Sequence, residues 1–307
     1  MSSGVEIRYR PATAADNRAM HDVFLESISE IDRRVGSADA VDSSEPAVRE
    51  QSWAAWRSLF EHLDATVDLA WVAEDDAGEV AGYARSIKRD GVRELTEFFV
   101  RPQAQGKGIG RELLRQAFPA EGARHRTIVA TLELRALGRY LQTGLSARCL
   151  VLWVGAAPRA NDVPSDLRAV PIAGSDEDLA ALDAIDRRLL GHTRRVDLEW
   201  IIAGGREGFL FHRGAEAVAY GFVGERSGPV ACLDPGDTPA VLGYLESRAA
   251  ERGQAELGFW LPSVNREAVD YLLGRGFRID PFVATFFSDD PGIALDRYLI
   301  TSPPFFV

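Results

Sequence analysis

The chain is poor in cysteine: Cys149 and Cys232 stand alone among 307 residues, each inside its own apolar stretch. Such a pair makes no disulfide framework, so buried free thiols are expected, and a cytoplasmic location fits them. Five scattered histidines show no metal-ligand spacing, and no metal is expected. No apolar run approaches the ~18 residues of a membrane span, which argues against a membrane partner. The opening residues, MSSGVEIRYR, lack a hydrophobic signal core, and nothing there marks export. Positive charge is also short. The 35 Lys and Arg face 46 Asp and Glu, a net −11, which disfavours nucleic acid as a partner. What is present is 46% hydrophobic content over a length that suggests two domains.

Val5–Arg10 alternates and reads as a first strand. Thr13 to Asp16 supply capping residues for a helix to about Arg34, with Met20, Val23, Phe24, Ile28 and Ile31 inside. Ser37–Glu45 is small and polar and reads as a loop; Pro46 opens a second helix carrying Trp53, Trp56, Leu59 and Phe60. Leu69–Glu74 and Glu79–Ile87 form a hairpin. After the stretch Glu94–Phe118 come a strand at Arg126–Leu132, a helix at Arg135–Thr143 and a strand at Cys149–Val154. Ala157–Ser165, rich in Pro and small polar residues, is the expected linker between domains 1–157 and 158–307.

The second half repeats this order. Leu167–Pro171 is a strand, helices follow from Ser175 and at Arg194–Ala203, and Gly208–His212 with Ala217–Val223 forms a hairpin. Val230–Leu233, Thr238–Arg252, Leu257–Leu261, Asn265–Gly274 and Phe277–Phe287 complete the alternation. Gly82-Tyr83 answers Ala219-Tyr220 at an offset of 137, and Leu141-x-x-Gly144-Leu145 answers Leu273-x-x-Gly276-Phe277 at 132. Two copies of one domain fit these offsets; a solenoid, with its period of about 20–50 residues, does not. The tail Ile300–Val307 is expected to pack on a domain, since exposed Phe305 and Phe306 would be unfavourable.

Glu94–Phe118 joins a strand, a glycine-spaced turn and a helix, an arrangement that makes an anion site. A Walker loop fails because Arg111-Glu112 follows Gly110, and a dinucleotide fingerprint fails because Arg111 replaces its third glycine. Gln105-x-x-Gly108-x-Gly110 does match a [RQ]-x-x-G-x-[GA] loop, preceded by Phe99-Val100-Arg101-Pro102 and followed by Arg111-Glu112-Leu113-Leu114. On these residues the chain resembles the GCN5-related N-acetyltransferases (GNAT), in their tandem form. The resemblance implies an α/β (mixed α+β) fold of two domains, each a mostly antiparallel twisted sheet flanked by helices. It also implies acetyl-coenzyme A as co-substrate, contacted by Gln105, Gly106, Lys107, Gly108, Ile109, Gly110 and Arg111. In the second copy Asp234-Pro235-Gly236-Asp237 replaces the loop, and carboxylates at a helix N-terminus would repel phosphate. That copy reads as degenerate.

Acetyl transfer to an amine needs a polarised thioester carbonyl, a deprotonated amine and a protonated leaving thiolate. The resemblance assigns the first to the backbone N–H of Val100, with Phe99 beside it. For the base, Glu94 and Glu97 lie on one strand, on opposite faces by simple alternation; a water chain is the other option, and Glu94 also reads as a solvated strand-end carboxylate. Glu26, Glu30 and Asp32 read as a solvated helix face that could also attract a cation. For the acid, Tyr140 stands four residues before Gly144, as in the family's pattern. Glu133 stands where the family usually has an Asn contacting the pantetheine arm. The implied reaction is transfer to a small-molecule amine by a monomer or homodimer. An acyltransferase acting on an alcohol or a protein N-terminus shares the same cofactor site, and a silent acetyl-coenzyme A sensor or docking module is the reading from another class.

Overall fold

In the computed structural model, which describes residues 7–37, 40–161 and 163–307, the chain divides into two compact units, one ending at Ile128 and one beginning at Val129. Val5 and Glu6 of the expected first strand, Ala38 and Asp39 of the polar loop and Asp162 of the linker lie outside the described residues.

The first unit holds β1 (Arg8–Pro11), α1 (Asn17–Val35), α2 (Pro46–Ala65), β2 (Val67–Glu74), β3 (Val80–Arg89), β4 (Val92–Val100) and α3 (Ile109–Ala117), and reaches into β5 (His125–Thr131). β1 to β4 pair antiparallel in sequence order, and β5 then joins β4 in parallel. Each face of the sheet has its own cover. On one side Met20, Val23, Phe24 and Phe60 of the two long helices pack with Val72, Val80 and Tyr83. On the other, α3 buries Ile109, Leu113, Leu114 and Ala117, and Ser86 Oγ donates to the Ala117 carbonyl at 2.7 Å. Each fully buried side chain of this size contributes about 1.5–3 kcal/mol.

The second unit continues with α4 (Leu134–Gln142), β6 (Ser146–Ala156), β7 (Arg168–Pro171), α5 (Asp176–Leu189), α6 (Arg195–Ala203), β8 (Glu207–Arg213), β9 (Glu216–Val223), β10 (Val230–Cys232), α7 (Thr238–Glu251), β11 (Leu257–Pro262), α8 (Arg266–Gly274), β12 (Arg278–Ser288) and β13 (Tyr298–Leu299). β7 to β10 form an antiparallel meander that repeats β1 to β4. β6, the last strand of the first repeat, lies between β11 and β12 of the second and pairs antiparallel with both. Val151 and Val154 of β6 are fully buried there. The packing divides at 128 and 129, ahead of the boundary expected at 157, because β6 is seated between two strands that follow it in the chain, β11 and β12. Cys232 is buried, whereas Cys149 on β6 is only half-buried; both are free thiols.

Residues 158–307 expressed alone will lack the strand that joins β11 to β12. We expect no cooperative urea transition from that fragment; a two-state transition would contradict the interlaced arrangement.

Candidate active site

β4 and β5 stay paired only from Val92–His125 to Leu95–Ile128. At the next residue β4 bulges: Leu95 faces Ser86 and Glu97 faces Arg85, leaving Thr96 as the extra residue. Arg101 N–H donates to the Ala81 carbonyl at 2.9 Å, so by alternation Phe99 also bonds towards β3. Phe98 and Val100 turn their N–H groups to the opposite edge, which β5 no longer lines. Of the two residues expected at the reacting carbonyl, Val100 is thus the one with its N–H on the open edge.

Immediately beyond, Gln105 Nε2 reaches back to the Val100 carbonyl at 3.1 Å and closes the turn. Gly106 and Gly108 adopt φ of +83° and +85°, a region a Cβ strains, and Gly108 caps α3. Among the described residues, the N–H groups of Gly106, Lys107, Gly108, Ile109 and Gly110 donate no hydrogen bond to the protein. A run of backbone donors at a helix N-terminus is an anion site, and the lack of any side-chain cap on α3 keeps it open. Lys107 and Arg111 are exposed beside it.

The two candidate carboxylates differ from the simple alternation expected of them. The bulge at Thr96 restores parity, so Glu94, Glu97 and Phe99 align with Ile87, Arg85 and Tyr83 and share the α1/α2 face. Neither is solvated: Glu94 and Glu97 are 4% and 3% exposed. Glu97 is paired with Arg85 at 2.9 Å and accepts from the Tyr83 hydroxyl at 3.0 Å. Arg85 in turn donates to the Phe60 carbonyl and Asn17 Oδ1 at 3.0 and 3.2 Å. Burial raises the Glu97 carboxyl above the usual carboxylate range, and Arg85 offsets part of that. Removing either member would leave a buried charge alone, at about 3–5 kcal/mol. In the sequence, the only signal of Arg85 is a charge inside the apolar run Val80–Ile87.

His21 carries no such signal in the sequence. It is fully buried on α1, with Phe24, Trp53 and Phe60 around it and Ser52 Oγ 2.9 Å from its Nε2. Burial pushes the imidazole down to about 4.

Glu133 and Tyr140 belong to the second unit. Glu133 immediately precedes α4 and its carbonyl accepts from Leu137 N–H at 2.9 Å. Tyr140 is buried against Phe287, ring centroids 5.5 Å apart, and burial raises its hydroxyl well above the ordinary tyrosine range. It stays protonated and able to donate at neutral pH.

The second repeat treats the corresponding strands differently. β10 and β11 hold the places of β4 and β5, and the C-terminal tail runs between them: Val230 faces Leu299 and Ala231 faces Tyr298, while Ile300 N–H donates to the Trp260 carbonyl at 3.0 Å. Tyr298, Leu299, Ile300 and Thr301 are buried. Arg194 fixes the tail further on, donating to the Phe306 carbonyl while paired with Asp186 at 2.9 Å and bonded to Tyr220 at 2.7 Å. The expected burial of the tail is therefore met by Phe306 and Val307. In the turn before α7, Asp237 receives Arg213 at 2.6 Å and Asp234 accepts from Gly236 N–H at 2.9 Å. Among the described residues no group of three or more His, Cys, Asp and Glu could hold a metal ion, and no helix is long and apolar enough to cross a membrane.

His21 gives a pH prediction. The unfolded imidazole protonates near 6.5 and the folded one near 4, so acid favours unfolding, and the effect is absent above pH 7. Between pH 7.5 and 4.5 the native chain should lose about 2 kcal/mol more stability in urea than His21→Asn; equal losses would place the native imidazole outside the core.

Residues 67–144 match a family model described as an acetyltransferase (GNAT) domain. Among solved structures, a putative acetyltransferase from Pyrococcus horikoshii is 17% identical, with 95% of this chain and 92% of that one covered and a TM-score of 0.66. A GCN5-related N-acetyltransferase from Sphaerobacter thermophilus is 18% identical, covering 95% and 98%, at 0.59. A tandem GNAT protein from the clavulanic acid biosynthesis pathway is 13% identical, covering 92% and 98%, at 0.53. No curated protein matches the sequence. Residues 67–144 thus match the model of a GNAT acetyltransferase domain, and the chain as a whole shares the fold of these GCN5-related and tandem GNAT structures.

Proposed function

We propose that the protein is an N-acetyltransferase that moves an acetyl group from acetyl-coenzyme A directly to the primary amine of a small molecule. The observation that carries this reading is the run of N–H groups from Gly106 to Gly110 that are unbonded among the described residues, next to a Val100 N–H on the edge that β5 has left. A pyrophosphate suits the first, and a carbonyl oxygen gaining negative charge suits the second. Gln105 closes the turn, and exposed Lys107 and Arg111 add positive charge for phosphate. Glu133 stands at the place assigned to the pantetheine arm.

Acetyl-coenzyme A brings the acetyl group as a thioester. The amine attacks, a C–N bond forms and the C–S bond breaks. The amine gives up one proton and the departing thiolate takes one. Tyr140, protonated at neutral pH, is the donor in this reading. Glu97 is committed to Arg85 and Tyr83, so Glu94 or a water chain is the better acceptor of the amine proton. The second repeat is read as a degenerate copy. Its cleft between β10 and β11 is filled by the tail, and Asp234 and Asp237 stand where phosphate would bind. On this reading domain 1–157 supplies the coenzyme site and domain 158–307 a structural or substrate-shaping part.

The burial of both candidate carboxylates favours the second reading, a coenzyme-binding sensor without turnover. Offering acetyl-coenzyme A with polyamines, amino acids, aminoglycosides and peptides, and following free thiol, separates the two. Transfer predicts thiol release with at least one amine and a fall of about 100-fold in Tyr140→Phe, coenzyme affinity unchanged. Binding without release for every amine would favour the sensor. Gly108→Glu should abolish coenzyme binding without unfolding the chain.

A further inference from the structure

Arg101, the residue after Val100, is bonded through its backbone, but among the described residues its guanidinium makes no hydrogen bond. Its side chain is 22% exposed and its Nε is buried without a partner. Among the described residues the guanidinium donates to no acceptor; its nearest carboxylate oxygen is Glu26 Oε2 at 3.7 Å, close enough for charge and too far for a hydrogen bond. A guanidinium presents five N–H donors, and leaving them unmet in a half-buried place is costly.

Glu26 cannot easily move to meet it, because Arg49 already donates to Glu26 at 3.0 Å and is itself held by the Ser43 carbonyl at 2.7 Å. Asp22, one turn earlier on α1, lies 3.8 Å from Arg49 and 3.7 Å from Arg18, again without a hydrogen bond, and its Oδ1 is buried. Arg18 pairs with Glu50 at 2.6 Å. Three arginines and three carboxylates thus balance on the α1/α2 face beside the end of β4. Next to them, Phe24 meets Phe99 edge-on at 5.3 Å and Trp56 at 4.8 Å, an apolar wall.

We infer that Arg101 receives the carboxylate of the acetyl acceptor, which makes that acceptor an amino acid with an apolar or aromatic side chain. This rests on the acetyl-transfer reading of the same site. A carboxylate takes two parallel bonds from a guanidinium and satisfies donors that Glu26 does not reach. Arg101 adjoins Val100, to whose N–H the acetyl-transfer reading assigns the carbonyl, so an anion held there suits an acceptor whose carboxylate and amine are a few bonds apart, as they are in an amino acid. A phosphate dianion fits less well, because Glu26 and Asp22 would oppose its second charge. A zwitterion adds no net charge to a balanced cluster.

The test is equilibrium binding of L-phenylalanine, phenylalaninamide and phenethylamine to the full chain, with and without coenzyme A. Phenylalanine should bind at least tenfold more tightly than either analogue. Arg101→Gln should erase that difference while leaving coenzyme A affinity and the urea midpoint unchanged, and Arg101→Lys should keep part of it. Equal affinities for the three ligands, or a preference that survives in Arg101→Gln, would overturn the inference. Failure of the wild-type chain to take coenzyme A would count against acetyl transfer instead, and the measurements without coenzyme would still report on Arg101.

Discussion

β4 loses its parallel partner after Leu95, and the first unit is arranged to keep that break without unfolding. A strand that parts from its neighbour exposes backbone donors, which is unfavourable unless the strand is held from elsewhere. Here it is held from β3. The bulge at Thr96 turns Glu97 towards Arg85, and Tyr83 bonds the same carboxylate. Arg85 carries the tie onward to Phe60 and Asn17 on the two long helices. The buried ion pair is weak support for stability in itself. Its use is positional: it fixes the end of β4, and so places Val100, Gln105 and the glycine turn one after another.

The second unit meets the same constraint by a different route. Its corresponding strands, β10 and β11, do not pair with each other directly; the chain's own tail lies between them and takes up their hydrogen bonds. A tyrosine at the matching hairpin position is again buried on a carboxylate and an arginine, here Tyr220 with Asp186 and Arg194, and that arginine anchors Phe306. One architecture thus appears with a backbone edge left open and with the edge filled. That contrast supports a single coenzyme site as much as the loop residues do.

Much of this was legible in the sequence because the physical demand falls on single residue types. Positive φ at Gly106 and Gly108 shows as glycine, and the helix behind them shows as Leu113, Leu114 and Ala117 on one face. The order of elements followed from periodicity alone. The bulge was not legible, because alternation across Thr96 looks regular until the register with β3 is known, and plain alternation sets Glu94 and Glu97 on opposite faces. Strand partners were not legible either. A pattern of buried and exposed residues in β6 says that it pairs, not that β11 and β12 flank it. The strand at Tyr298–Leu299 is too short to show a period.

The central claim is that this chain has one open coenzyme site, in the first repeat, and one filled by its own tail. Isothermal titration of the full chain with acetyl-coenzyme A tests it most directly. The account predicts one coenzyme bound per chain; two per chain would contradict the filled second cleft, and none would contradict the reading of the glycine turn.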